Sequence, residues 1–174
     1  MSENSMRKIV IEKVTLNMGA GEPGERLENS KKILETITGK KIVVTKTHKR
    51  TTFGGAPKRP IGAKVTLRGR DAKEILVKML QAIENKLKPG CFDTSGNFSF
   101  GVAEYINIPG IKYDPDVGML GMDVCVTLQR PGYRVRKRRI RPSRVGKNHL
   151  IKTEDAIKFA EEELGVKVTR GEEE

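Results

Sequence analysis

The sequence predicts an α+β fold, a largely antiparallel sheet with helices packed on one face and a long basic hairpin loop. Three observations predict it. Segments rich in β-branched residues come in the order strand, helix, hairpin, helix and then further strands, without the repeated strand–helix–strand alternation of a parallel sheet. Two of the strands flank a Gly- and Pro-containing connection, which makes them a hairpin with an irregular tip. The 174 residues suffice for one domain, and with no Trp and 5% aromatics its core must be built mostly from Ile, Val, Leu and Met. Residues 1–174 are expected to form that single domain, with 1–6 and 168–174 as flexible ends.

The elements follow in order. "RKIVIEKVTLNMG" (7–19) is a strand in which Ile9, Ile11, Val14, Leu16 and Met18 alternate imperfectly. "ERLENSKKILETITG" (25–39) sets Leu27, Leu34 and Ile37 near one helical face and stops at Gly39. Residues 41–50 and 61–69 are the hairpin strands. "DAKEILVKMLQAIENKL" (71–87) is the clearest helix, with Asp71 as its cap, Glu74 reaching back, and Ile75, Leu76, Met79, Leu80, Ile83 and Leu87 as its stripe. Residues 90–118 are loop-rich, with β-like pieces at 98–100 and 105–108. "MLGMDVCVTLQR" (119–130) is a strand, and Pro131-Gly132 turns the chain into an Arg-dense exposed arm or strand edge. A last helix runs from Thr153 to Leu164 and ends at Gly165.

Charge is distributed unevenly. The net charge is +12 and the pI near 9.8, values that point to a polyanionic partner. Residues 36–70 hold ten Lys or Arg and no acid, and residues 124–153 hold ten more, again without an acid. All 22 carboxylates lie elsewhere. Like charges packed this closely repel one another, so two such segments are best explained by an external polyanion that neutralises them. Thr45, Thr47, Thr51 and Thr52 add hydroxyls that reach phosphate or 2′-hydroxyl groups, Phe53 and Tyr133 offer stacking surfaces, and Gly54, Gly55 and Gly62 permit close backbone approach. Nothing resembles a recognition helix or a zinc finger, which favours structured RNA over the DNA major groove.

Other chemistries have weaker footing. Gly19, Gly21 and Gly24 spell G-x-G-x-x-G between a strand and a helix, the context of a dinucleotide site, and so define an NADP-binding oxidoreductase as the alternative. Against it stand Glu22, Glu25 and Pro23, and a hairpin where a β-α-β repeat should continue. A non-specific nucleic-acid or anionic-membrane adhesive is the other alternative. His48 and His149 sit among cations, which oppose metal binding, and Asp114 and Asp116 read as turn formers. No catalytic set, cofactor site or metal site is expected. Cys91 and Cys125 are too few for a disulfide framework; Cys125 reads as a core residue. With no secretory signal and no apolar run near the ~18 residues of a spanning helix, a reducing cytosolic setting is expected, without a membrane partner or an obligate homo-oligomer.

Four segments, "KVTLNMGAGE" (13–22), "LETITGKKIVVTKTHKR" (34–50), "RPIGAKVTLRG" (59–69) and "FSFGVAEYINIPGIKYDPDVGMLGMDVCV" (98–126), closely resemble the universal large-subunit ribosomal protein of the L-five family, in its archaeal and eukaryotic form. The resemblance implies a non-catalytic component of the central protuberance that binds 5S rRNA. It maps the 5S-contacting positions onto Asn17, Lys40, Phe53 and Thr66, with phosphate contacts from Lys46, His48 and Lys49. Lys40 stands where bacterial members commonly carry Gln. The hairpin tip, Gly54, Gly55, Ala56, Pro57, Lys58, Arg59 and Pro60, would reach peptidyl-site tRNA. 23S rRNA and the small-subunit protein of the S-thirteen family would be neighbours. From their charge, Arg130, Arg134, Arg136, Lys137, Arg138, Arg139 and Arg141 are candidates for additional rRNA contact.

Overall fold

The structure, a computed structural model, describes residues 4–50, 55–115 and 117–168. Phe53 and Gly54, both candidate site residues, lie outside the described residues, as do Thr51, Thr52, Asp116 and the outermost parts of the two expected flexible ends. After a 3-10 turn at Ser5–Arg7 come β1 (Val10–Gly19), α1 (Glu25–Thr38), β2 (Val43–Lys46), β3 (Pro60–Leu67), α2 (Arg70–Ala82), β4 (Lys86–Leu87), β5 (Phe98–Val102), β6 (Met122–Gln129), α3 (Arg134–Lys137), α4 (Thr153–Leu164) and β7 (Lys167–Val168).

Five strands form one sheet in the order β2-β3-β1-β6-β5, and every neighbouring pair is antiparallel. The short β4 and β7 pair in parallel as a separate two-stranded ladder. Alternation decides the faces. Val14, Leu16 and Met18 of β1, Ala63, Val65 and Leu67 of β3, and Val124, Val126 and Leu128 of β6 are all buried. They meet Leu27, Ile33 and Leu34 of α1 and Ile75, Leu76, Met79 and Leu80 of α2 in one hydrophobic core. Each buried Val, Leu or Ile contributes roughly 1.5–3 kcal/mol. A one-residue slip of any strand would turn its share to solvent, so the register is firmly set. The result is the predicted α+β layering, with α1 and α2 on one face of the sheet.

Several ends differ from the sequence expectation. Strand 41–50 is only Val43–Lys46, because the register shifts between Thr45 and Lys46 and Thr47 then bonds to the tip. Helix 71–87 is Arg70–Ala82: Glu84 and Asn85 turn left-handed (φ +56° and +55°), and the Asn85 N–H closes back on the Leu80 carbonyl at 2.9 Å. Leu87 is buried from β4 instead. Asp71 is not the cap; the residue before the helix is Gly69, and Asp71 lies in the first turn. The β-like piece at 105–108 is a 3-10 turn, Tyr105–Asn107, whose tyrosine is buried. Cys125 is exposed, not core, because Met122, Val124, Val126 and Leu128 claim the inner face and leave the residues between them outside.

Candidate nucleic-acid interface

The face of the sheet opposite α1 and α2 carries mostly small and polar residues, with Val43 and Lys64 among them. Strand register sets out its rows. One row runs Val43, Lys64, Asn17, Asp123, Gly101; the next runs Thr66, Thr15, Cys125, Ser99; a third runs Thr45, Gly62, Gly19. Asn17 and Thr66 thus stand on adjacent strands of one face, diagonal neighbours roughly 7–8 Å apart by sheet geometry. Lys46, the last residue of the edge strand β2, pairs with Pro60, which begins the β3 column of Gly62 and Lys64. At Gly62 the close approach is internal. A Cβ there would come within 2.8 Å of the Met18 carbonyl and 2.9 Å of Thr45 Oγ1, so the glycine lets β2, β3 and β1 pack without a bump. A face of hydroxyls, glycines and the Asn17 amide, with Lys64 within it and Lys46 on its edge strand, suits the broad surface of folded RNA.

Lys40 and His48 do not join this face in the same way. Lys40, just beyond Gly39 at the end of α1, pairs through Nζ with Asp71 Oδ2 at 2.7 Å. That bond raises the lysine's pKa and lowers the aspartate's; both groups remain half-exposed. His48 and Lys49 are exposed beyond β2. The tip folds back on Thr47. Its hydroxyl donates to the Ala56 carbonyl (2.8 Å) and accepts from the Arg59 N–H (3.0 Å), while the Lys58 N–H donates to the Thr47 carbonyl (2.9 Å). Lys58 and Arg59 are exposed, and Lys58 holds φ +65°.

The second basic segment is an arm with stapled ends. Arg130 is an internal staple: its side chain is 11% exposed, and its guanidinium donates to the Leu150 carbonyl (3.2 Å) and meets Asp155 Oδ2 (2.9 Å). Tyr133, expected as a stacking surface, is half-buried; its hydroxyl donates to the His149 carbonyl (3.3 Å) and accepts from the Ile151 N–H (3.0 Å). His149 in turn bonds to the Pro131 carbonyl at 2.8 Å. Between these staples Arg134, Arg136, Lys137, Arg138, Arg139 and Arg141 are exposed. Arg138 Nε donates to the Arg141 carbonyl at 2.7 Å, and the Ser143 N–H bonds the Val135 carbonyl at 3.1 Å. The fold-back leaves an open cleft of about 510 Å³ lined by Arg136, Pro142, Ser143, Arg144, Val145 and Leu150.

Sequence reasoning missed Glu12. The register of β1 against β6 skips between Ile11 and Lys13, so Glu12 is the extra residue of a β-bulge. Its Oε1 lies 3.4 Å from Arg68 Nη1, just past β3, and is hydrogen-bonded to Lys137 Nζ on α3. Burial, the largest single influence, would raise the carboxyl's pKa. The hydrogen bond and charge of Lys137, aided by Arg68 and Lys13, outweigh it and hold the group below its ordinary 4.5. Through this carboxylate the two basic segments, separate in sequence, meet.

The dinucleotide alternative finds no support in the topology. β1 is flanked by antiparallel neighbours, so no β-α-β unit forms around it, and Glu25 and Glu28 occupy the first turn of α1. Among the described residues no three His, Cys, Asp or Glu converge as metal ligands, and no helix is long and apolar enough to cross a membrane.

Comparison with known proteins agrees with the geometry. Residues 4–52 match the family described as ribosomal protein L5, and residues 60–159 match the model of that ribosomal family's C-terminus. The large ribosomal subunit protein uL5 of Nanoarchaeum equitans is 51% identical over 168 residues, covering 95% of this chain and 99% of that protein. Its counterpart from Sulfolobus acidocaldarius is 45% identical over 170 residues, covering 97% and 96%. The chain therefore belongs to the uL5 family, whose members are structural, non-enzymatic constituents of the large subunit of the cytoplasmic ribosome.

Proposed function

We propose that the outer sheet face binds 5S rRNA and helps attach it to the central protuberance, and that the hairpin tip contacts peptidyl-site tRNA. The observation that carries this reading is the row-and-column array of Asn17, Thr15, Thr66, Thr45 and Gly62, with Lys64 inside it and Lys46 on the edge strand. A rigid sheet presents those hydroxyls and the Asn17 amide at fixed spacing, so the fit is to backbone shape and 2′-hydroxyls, with the cations supplying attraction. Asp123, beside Asn17, would repel phosphate and accept instead from base amino or 2′-hydroxyl groups. Lys40 would reach RNA at the margin through the proton donors that Asp71 leaves free, and Phe53 would stack on a base. The exposed arm residues Arg134, Arg136, Lys137, Arg138, Arg139 and Arg141 would add rRNA contact, and the cleft lined by Arg136, Pro142, Ser143, Arg144, Val145 and Leu150 suits an unstacked base. Arg130 supports that arm from within. The small-subunit protein of the S-thirteen family would lie across the subunit interface.

Competition between 5S rRNA and unrelated RNA of equal length tests the reading. The protein should prefer 5S rRNA, and replacing Asn17 and Thr66 together by Ala should weaken 5S binding about five- to thirtyfold, the loss of one or two hydrogen bonds of roughly 1 kcal/mol each. Replacing Lys58 and Arg59 by Ala should leave 5S binding intact and abolish crosslinking to tRNA in assembled subunits. Equal displacement by both RNAs would mean a non-specific adhesive.

A further inference from the structure

We propose that Glu12 is a positioning residue of the RNA-binding surface: by engaging Arg68 and Lys137 together it fixes the two basic segments as one cationic front, so that a carboxylate improves recognition of a polyanion. The inference rests on the 5S reading above and goes beyond it. Three observations carry it.

First, the residue is where only a bulge could put it. In unbroken β1 register Glu12 would face Leu128 on the core side; the skip gives that place to Ile11 and releases Glu12 to the opposite side. Second, one oxygen serves both cations, Arg68 at 3.4 Å and Lys137 through a direct hydrogen bond. Third, the exposures are complementary. The Glu12 side chain is 9% exposed, while those of Arg68 and Lys137 are 62% and 52% exposed. Little of the carboxylate is thus open to an approaching phosphate, while the two cations it holds are exposed. Arg68 keeps most of its five N–H donors free and Lys137 most of its three. Lys64 and Thr66 lie in the outer column of β3 and Arg68 follows just past its end, so the held guanidinium links that face through Glu12 to Lys137 on α3.

Without Glu12, the Lys13, Arg68 and Lys137 charges would face one another unscreened, and the long side chains would spread. Ordering them would then fall to the binding step, which weakens a shape-specific complex more than a loose one. Asp71 offers a contrast: it holds a single cation, and both members of that pair are half-exposed.

The test uses the sign of the effect. If Glu12 were merely one negative charge near RNA, Glu12→Gln would tighten binding to every RNA. Positioning predicts the reverse for 5S rRNA alone: the ratio of 5S to unrelated-RNA affinity should fall roughly three- to tenfold. Lys137→Gln, at an exposed site that does not endanger folding, should lower the same ratio, and the double variant should be no worse than Glu12→Gln. Measurements belong well below the melting temperature of each variant, where a purely structural role leaves the ratio unchanged. A wild-type preference that survives both substitutions, or fully additive losses, overturns the positioning role and leaves the 5S reading standing. A wild-type protein without preference overturns the 5S reading, and this inference with it.

Discussion

Lys58 holds a backbone conformation (φ +65°) that its own side chain disfavours. A Cβ in the left-handed region costs roughly 1–2 kcal/mol, and glycine is the residue that avoids the cost. The Lys58 N–H is fixed to the Thr47 carbonyl and its neighbour Arg59 to the Thr47 hydroxyl, so the local hydrogen bonds enforce the strain. A strained lysine at an exposed tip is best understood through what its ammonium touches. Lys58→Gly should therefore leave stability unchanged or raise it by up to about 1 kcal/mol, since relief of strain is offset by the extra unfolded-state freedom of glycine. It should at the same time weaken tRNA crosslinking. A urea titration checks the first part; a loss above about 1 kcal/mol would show that the tip conformation needs the lysine side chain.

At the scale of elements, what could be read from sequence was what hydrophobic periodicity encodes. α1, α2 and α4 and the long strands β1, β3 and β6 announce themselves because one face of each is apolar. Their ends do not, since the left-handed pair Glu84–Asn85 that stops α2 carries no Gly or Pro to signal it. The Arg-dense run read as an exposed arm or a strand edge; it is exposed and no strand, and that Arg134–Lys137 makes one helical turn depends on the staples at Tyr133 and Arg130, which no local pattern reveals. Asn17, Thr66 and Lys46 came from resemblance to a family, and pairing register explains why Asn17 and Thr66 share a face with Lys46 at its edge. Glu12 did leave a trace. Ile9 and Ile11 have odd parity and Val14, Leu16 and Met18 even parity, and the change between them is the bulge. The attachment of α3 to β1 through that bulge has a pH dependence. Because the folded-state pKa of Glu12 lies below 4.5, its contribution to stability is present above pH 4.5 and is lost as pH falls through the depressed value. The stability difference between wild type and Glu12→Gln should be constant at neutral pH and vanish in strong acid. Thermal melts across that range decide it; a difference that persists at the lowest pH would mean the carboxylate's charge is not what holds α3.

For the whole molecule, the sheet order converts two distant basic segments into one side of the protein. β1 lies between β3 and β6, so the hairpin that carries the first segment and the strand that leads to the second flank the same central strand. Three carboxylates bordering this region are occupied: Asp71 holds Lys40, Asp155 holds Arg130, and Glu12 holds Arg68 and Lys137. Cations beyond those pairs include Lys58 and Arg59 at the tip, Lys64 on the outer face, and Arg134, Arg136, Arg138, Arg139 and Arg141 on the arm. If about six to ten of them neutralise phosphates, the released counterions should make log K fall with log salt at a slope of about −0.7 to −0.9 per phosphate. Affinity for 5S rRNA should then drop roughly 10³- to 10⁵-fold between about 50 and 200 mM salt. Removing one phosphate contact, for example Lys46→Gln, should reduce the slope by about one, whereas Asn17→Ala should weaken binding at every salt concentration without changing it. Filter binding over that range measures both. A flat response would show that the two basic segments do not meet phosphate, and the charge segregation of the chain would need another partner.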